Sequence, residues 1–178
     1  MYEVTMSDIA WQDGVITSRK FQDSYFSRLD GYQETQHVFL DANRLSDRFA
    51  RLQQSDVFCI AELGFGTGLN FLATWALWGC HNPLGKLIFT SFEKFPLAIE
   101  DTTLALAKWP ELDTLKNALL EALETLTSGK NHYSFGAVEL VLYVGDARDL
   151  LPNWDEKADV WFLDGFNPAH NPELWEKS

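Results

Sequence analysis

The residues best placed for chemistry are Glu62, Glu93, Asp146 and Asp164, each at or just past the end of an apolar run, and the turn Glu62-Leu63-Gly64-Phe65-Gly66-Thr67-Gly68. Glycines in such a turn permit positive φ and let a ligand come close to the backbone. The third glycine comes one residue earlier than in the dinucleotide fingerprint G-x-G-x-x-G, which favours a nucleoside without a pyrophosphate. Glu93 stands about where an acidic side chain accepts hydrogen bonds from ribose hydroxyls in doubly wound folds; the competing reading is a solvated carboxylate paired with Lys94. Asp146, in Gly145-Asp146-Ala147, can receive the exocyclic amine of adenine or cap a helix beginning near Arg148, and the two roles are compatible. In Asp164-Gly165-Phe166-Asn167-Pro168 a carboxylate and an aromatic ring together can hold an amine by hydrogen bonding and stacking. A structural turn capped by Asp164 is the alternative. The four histidines, His37, His81, His132 and His170, have no metal-ligand spacing, no Ser/His/Asp or Cys/His grouping is legible, and no metal is expected.

Alternating strands and helices must position these residues. Val57–Ala61 is a continuous apolar run of strand length that ends at Glu62 and opens into the glycines. Leu69, Leu72, Ala73 and Ala76 have helical spacing and predict a helix over Leu69–Trp78, stopped by Gly79. A strand over Lys86–Phe92 ends at Glu93. Residues 96–126 read as two helices broken at Trp109-Pro110, because a proline cannot continue a helix. Strands over Val138–Val144 and Ala158–Leu163 end at the two aspartates. This alternation predicts an α/β fold with a doubly wound, mostly parallel sheet, whose ligands bind outside the carboxyl ends of the strands. The sheet is expected to be truncated after the fourth strand, since only fifteen residues follow Leu163. The first fifty residues read as an irregular or hairpin-like lead-in, with a short helix near Asp41–Arg51.

Length and composition bound the rest. At 178 residues with 46% hydrophobic content, one globular domain is expected, with lead-in 1–55 and Rossmann-like part 56–178. Thirteen Phe, seven Trp and five Tyr predict an aromatic core and pocket. No run approaches the roughly 20 apolar residues that span a bilayer, and the polar start lacks a signal peptide's regions, so a soluble cytoplasmic protein is expected. Cys59 and Cys80 lack metal or redox spacing and read as two buried thiols. The net charge of −12 repels polyanions, so any RNA substrate needs a local basic patch or another domain.

FQDSYF (Phe21–Phe26), DGYQETQHVFL (Asp30–Leu40), ELGFGTGLNF (Glu62–Phe71), SFEKFPL (Ser91–Leu97), Gly145-Asp146 and WFLDGFNPAHNPELW (Trp161–Trp175) span nearly the whole chain. In these segments it resembles the methyltransferase domain of the MnmC-type tRNA 5-methylaminomethyl-2-thiouridine biosynthesis family, class I enzymes with a Rossmann-like fold. Its last motif lies where many amine methyltransferases carry an Asp/Asn-Pro-Pro-aromatic turn. The resemblance implies methyl transfer from S-adenosylmethionine to the aminomethyl nitrogen on C5 of the wobble uridine of tRNA. By motif position it implies cofactor contacts from Glu62, Gly64, Phe65, Gly66, Thr67, Gly68 and Asn70, from Glu93 and Lys94, and from Asp146, Ala147 and Asp164. Asp164 with Phe166 would also meet the reacting amine and base, and Tyr25, Phe26, Glu34 and Thr35 would close over the substrate pocket. The family continues with three more strands, and many members append an FAD-dependent oxidase domain; FAD is expected only with that domain. Alternatives are a class I methyltransferase for another amine, or a cofactor-binding module inactive as this fragment. Oligomeric state is not legible.

Overall fold

A computed structural model describes residues 4–12, 14–26, 30–81, 83–167 and 169–175; Pro168 of the expected amine turn lies outside them. The lead-in forms a small antiparallel sheet, β1 (Ile9–Gln12), β2 (Val15–Ser18) and β3 (Asp23–Ser24), followed by α1 (Gly31–Thr35), a π-helical turn (Gln36–Asp41) and α2 (Leu45–Phe49). Then come β4 (Val57–Leu63), α3 (Leu69–His81), β5 (Lys86–Glu93), α4 (Ile99–Leu106), α5 (Asp113–Leu123), β6 (Gly129–Phe135), β7 (Val138–Val144), α6 (Ala147–Leu150), β8 (Val160–Leu163) and α7 (Pro172–Trp175).

The main sheet has the order β6-β7-β5-β4-β8, and all of its pairs are parallel except β6 with β7. The four expected strands are therefore present in a mostly parallel α/β sheet. From β4 the chain builds first toward β5 and β7, and only later places β8 on the other side. The carboxyl ends of β4 and β8 thus flank a topological switch point, where side chains can line a crevice without a crossover covering it.

Three local expectations need correction. The helix after the glycine turn runs through Gly79 to His81. An interior glycine costs a helix only about 1 kcal/mol, and the buried Trp78, packed edge-on against Phe49 at 5.0 Å, holds that turn down. Cys80 is exposed, and Cys59 only partly buried. A fifth strand, β6, was not anticipated. Its sequence, GKNHYSF, has no apolar alternation, and pairing with β7 along its whole length creates it. Asn131 anchors that edge by donating to the carbonyls of Thr127, Gly129 and Leu142 at 2.8, 3.0 and 3.2 Å.

Most of the buried apolar side chains form one core between the sheet and α3, α4 and α5, while a smaller cluster, including Leu63, Phe92 and Ala147, covers part of the opposite face. Phe71, Phe89 and Phe162 are fully buried in the larger core, and each contributes on the order of 1.5–3 kcal/mol. That rigid layer carries the strand ends from which the site is built.

Candidate functional site

Around the carboxyl ends of β4, β5, β7 and β8 lies a cavity of about 520 Å³. All of the expected site residues line it except Glu62 and Gly68. Gly64 donates its N–H to the carbonyl of Phe92 and Gly145 donates to that of Glu93, both at 2.9 Å, which ties the ends of neighbouring strands together.

Glu93, half-buried, accepts the N–H of Gly66 on one oxygen at 3.0 Å and that of Phe95 on the other at 2.8 Å. Burial raises its pKa and the backbone amides oppose the rise. Each carboxylate oxygen has more than one acceptor site, so Glu93 keeps capacity for two hydroxyls. Pairing with Lys94, the competing reading, is not realised, because Lys94 reaches Asp146 at 2.6 Å.

Asp146 is more heavily engaged. It accepts from Lys94, from the Arg148 backbone N–H at 3.0 Å, capping α6, and from the Arg148 guanidinium at 3.0 and 2.6 Å. The Arg148 hydrogen bonds hold its carboxyl well below the usual carboxylate range. To accept from adenine it must release one of these partners.

Glu62 lies beneath the glycine turn and is fully buried. It accepts from Ser91 Oγ at 2.6 Å and Asn70 Nδ2 at 2.9 Å, and burial pushes its carboxyl well above the usual range. Gly68, also outside the cavity, faces Phe65 and Leu119. The folded state holds the Glu62 proton to higher pH than the unfolded chain does. Its stabilising contribution is complete below about pH 4 and is lost as pH rises through the folded value. Glu62→Gln is therefore expected to gain stability relative to the parent as pH rises from 5 toward 8. Thermal melts of both proteins across that range check it, and a constant difference contradicts the assignment.

Asp164 follows β8 and faces the cavity. It is exposed on the cavity side and accepts from buried Asn70 on the other. Burial, opposed by an Asn70 hydrogen bond and reinforced by the charge of Glu34, raises its pKa to about 7. A ligand that displaced the water would strengthen the desolvation. Phe166 stacks on Phe21 with centroids 4.8 Å apart and meets the edge of Tyr25 at 5.1 Å. The Asn167 N–H donates to Asp23 at 2.9 Å. The lead-in thereby closes over the β8 turn. Glu34 and Thr35 sit on α1, whose N-cap Asp30 accepts the N–H of Tyr32 at 3.0 Å. Phe26 contributes a wall, with its ring buried edge-on against Trp109 at 5.2 Å.

Phe21 and Phe95 in this wall, and Ser91 beneath it, were not singled out by their types, although FQDSYF and SFEKFPL contain them. Lys20 sits 4.2 Å from the centre of the Phe95 ring. Among the described residues, six acidic side chains line the cavity against three basic ones, a balance that favours a cationic ligand over a polyphosphate. Gly66 has φ +54, and a Cβ there would lie 3.3 Å from the Tyr25 ring. The cradle, the hydroxyl acceptors on Glu93 and the acidic lining together fit a nucleoside bearing a positive charge. No cluster suited to a metal occurs among the described residues, nor does any helix long and apolar enough to cross a membrane.

Comparison with known proteins adds kinship. A family model described as S-adenosyl-L-methionine-dependent methyltransferase matches residues 110–178. The tRNA 5-methylaminomethyl-2-thiouridine biosynthesis bifunctional protein MnmC of Chromobacterium violaceum is 47% identical over 97% of this chain and 26% of its own length. Its counterpart in Pseudomonas aeruginosa is 48% identical over 98% of the chain and 27% of its own length. The crystal structure of MNMC2 from Aquifex aeolicus matches with a TM-score of 0.69 at 26% identity, over 97% of this chain and 54% of that one. The chain thus spans about a quarter of the length of the curated relatives it matches.

Proposed function

We propose, for a chain that belongs to the MnmC-type family of S-adenosylmethionine-dependent methyltransferases, that it methylates the aminomethyl nitrogen on C5 of the wobble 2-thiouridine of tRNA. The product is 5-methylaminomethyl-2-thiouridine. The observation that carries this reading is the shared crevice: the turn around Gly66 and Glu93 opens onto the same cavity as Asp164 and Phe166.

When bound, S-adenosylmethionine supplies a methyl group made electrophilic by its sulfonium. Glu93 would hold the ribose hydroxyls with the acceptor positions its backbone bonds leave open. The glycine turn would let the nucleoside lie against the backbone. Asp164 would orient the substrate amine, with the aromatic wall of Phe166, Phe21 and Tyr25 supporting the base. A carboxylate favours the ammonium form of an amine, which taken alone opposes attack. The value of Asp164 therefore lies in aim, and in accommodating the positive charge that reappears on nitrogen as the carbon–nitrogen bond forms and the carbon–sulfur bond breaks.

Calorimetry tests the cofactor half of this reading. S-adenosylmethionine is expected to bind, and NAD and ATP, whose phosphates meet an acidic lining, are expected to bind far more weakly. Preferential binding of NAD would overturn it.

Transfer RNA must approach against a net charge of −12. Its phosphates would then make only a few contacts, and affinity should fall with salt with a log–log slope of magnitude about 2, for roughly three contacts. Filter binding across a salt series checks this; a slope several times steeper contradicts it.

A further inference from the structure

We infer that Asn70 is a positioning residue, whose side-chain amide fixes the Asp164 carboxyl toward the substrate amine by tying it to Glu62 beneath the glycine turn and to Thr35 on α1. The inference rests on the methyl-transfer reading and extends it to a residue that would touch neither methyl group nor amine.

Asn70 is the second residue of α3, directly behind the glycine turn, and is buried. Its Nδ2 donates to Glu62 Oε1 at 2.9 Å and to Asp164 Oδ2 at 2.6 Å, while its Oδ1 accepts from Thr35 Oγ1 at 2.8 Å. A primary amide has two N–H donors, so both are committed to carboxyl groups and none remains for a nucleoside. The motif position implied cofactor contact; the hydrogen bonds join three segments of the fold instead. Asp164 Oδ1 has no hydrogen-bond partner among the described residues and is left to meet the amine. Among the described residues, the charge acting on Asp164 is that of Glu34 on α1, and those acting on Glu62 are Asp164 and Glu93 on β5, all acidic. Asn70 is thus the donor that opposes burial at Asp164, and the titration of that carboxyl reports whether the bond is made.

Few side chains satisfy this arrangement. Aspartate offers no donor and sets a third carboxyl against two, and alanine leaves Asp164 undonated. Thr35→Val keeps the Asn70 amide but removes the hydroxyl that holds its oxygen.

The test is the Asp164 titration followed by carbon-13 NMR in parent, Asn70→Ala and Thr35→Val, with Asp164→Asn assigning the resonance. Losing a hydrogen bond to a charged group should move the midpoint to higher pH by about one unit in Asn70→Ala, and by less in Thr35→Val. This readout requires no catalysis, so it separates the inference from the function on which it rests. Where the parent transfers methyl, turnover should fall about ten-fold in Asn70→Ala with S-adenosylmethionine affinity within about three-fold. Combining Asn70→Ala with Asp164→Asn should then cost little more than Asp164→Asn alone, because one acts through the other. An unmoved Asp164 midpoint in both folded variants, additive losses in the double variant, or a ten-fold loss of cofactor affinity in Asn70→Ala would each overturn the assignment.

Discussion

Asp164→Ala is expected to lower the turnover of methyl transfer by about 100-fold, the scale on which losing one preorganised electrostatic partner of the transition state is felt. Asp164→Asn keeps an acceptor of the same shape without its charge, so its loss should be smaller, about ten-fold. Both should bind S-adenosylmethionine within a few-fold of the parent, since the cradle around Gly66 and the acceptors on Glu93 are untouched. The pH dependence sharpens the contrast. With its pKa raised to about 7, Asp164 is neutral in acid and becomes a carboxylate as pH rises through neutrality. Parent turnover should climb through that range, and Asp164→Asn should lack that component while keeping the rise due to the amine's own loss of a proton. Steady-state kinetics from pH 6 to 9, with calorimetry for the cofactor, check both parts. A large loss of cofactor affinity in a folded Asp164→Ala protein would assign the residue to the cofactor instead.

Gly66→Val should abolish cofactor binding. Two effects act at this position. The backbone is left-handed, at φ +54, where a β-branched residue is strained by roughly 1–3 kcal/mol. A Cβ would also approach the Tyr25 ring to 3.3 Å, and the remaining methyls need space the nucleoside would occupy. Gly136 separates the two: its φ is +75, but nothing lies within 4 Å of a Cβ built there. Gly136→Ala should therefore lose some stability and keep cofactor affinity, whereas Gly66→Ala should already weaken binding about ten-fold or more, as displacing a nucleoside from its seat implies. Calorimetry beside thermal melts distinguishes these outcomes, and equal cofactor affinity in the two alanine variants contradicts the cradle.

What was legible in the sequence was what local pattern encodes. The apolar runs before Glu62, Glu93, Asp146 and Asp164 located four strand ends, and the parallel sheet followed from alternating strands and helices. The glycine turn stood out because its spacing constrains backbone and ligand together. Features set by partners distant in sequence were not legible. β6 exists because β7 pairs with it, and Asn131 closes its turn. Gly79 stays helical because Trp78 is packed against Phe49. Asp146 read equally as a ligand group or a cap, and only the approach of Lys94 and Arg148 shows how fully it is engaged. Asn70 read as one more residue of a cofactor motif, and its bonds to Thr35, Glu62 and Asp164 depend on α1, β4 and the β8 turn converging. The aromatic wall has the same origin, since Phe21 and Phe166 meet only when the lead-in folds over the sheet.

The most direct measurement is methyl transfer itself. Protein carrying this chain is incubated with S-adenosylmethionine labelled in its methyl group and tRNA bearing 5-aminomethyl-2-thiouridine at the wobble position, and the tRNA is then digested to nucleosides. The expected result is label in 5-methylaminomethyl-2-thiouridine, with one S-adenosylhomocysteine formed for each methyl transferred, and loss of both in Asp164→Ala. Tight cofactor binding with no label in that nucleoside, or label on another amine, would contradict the proposed reaction.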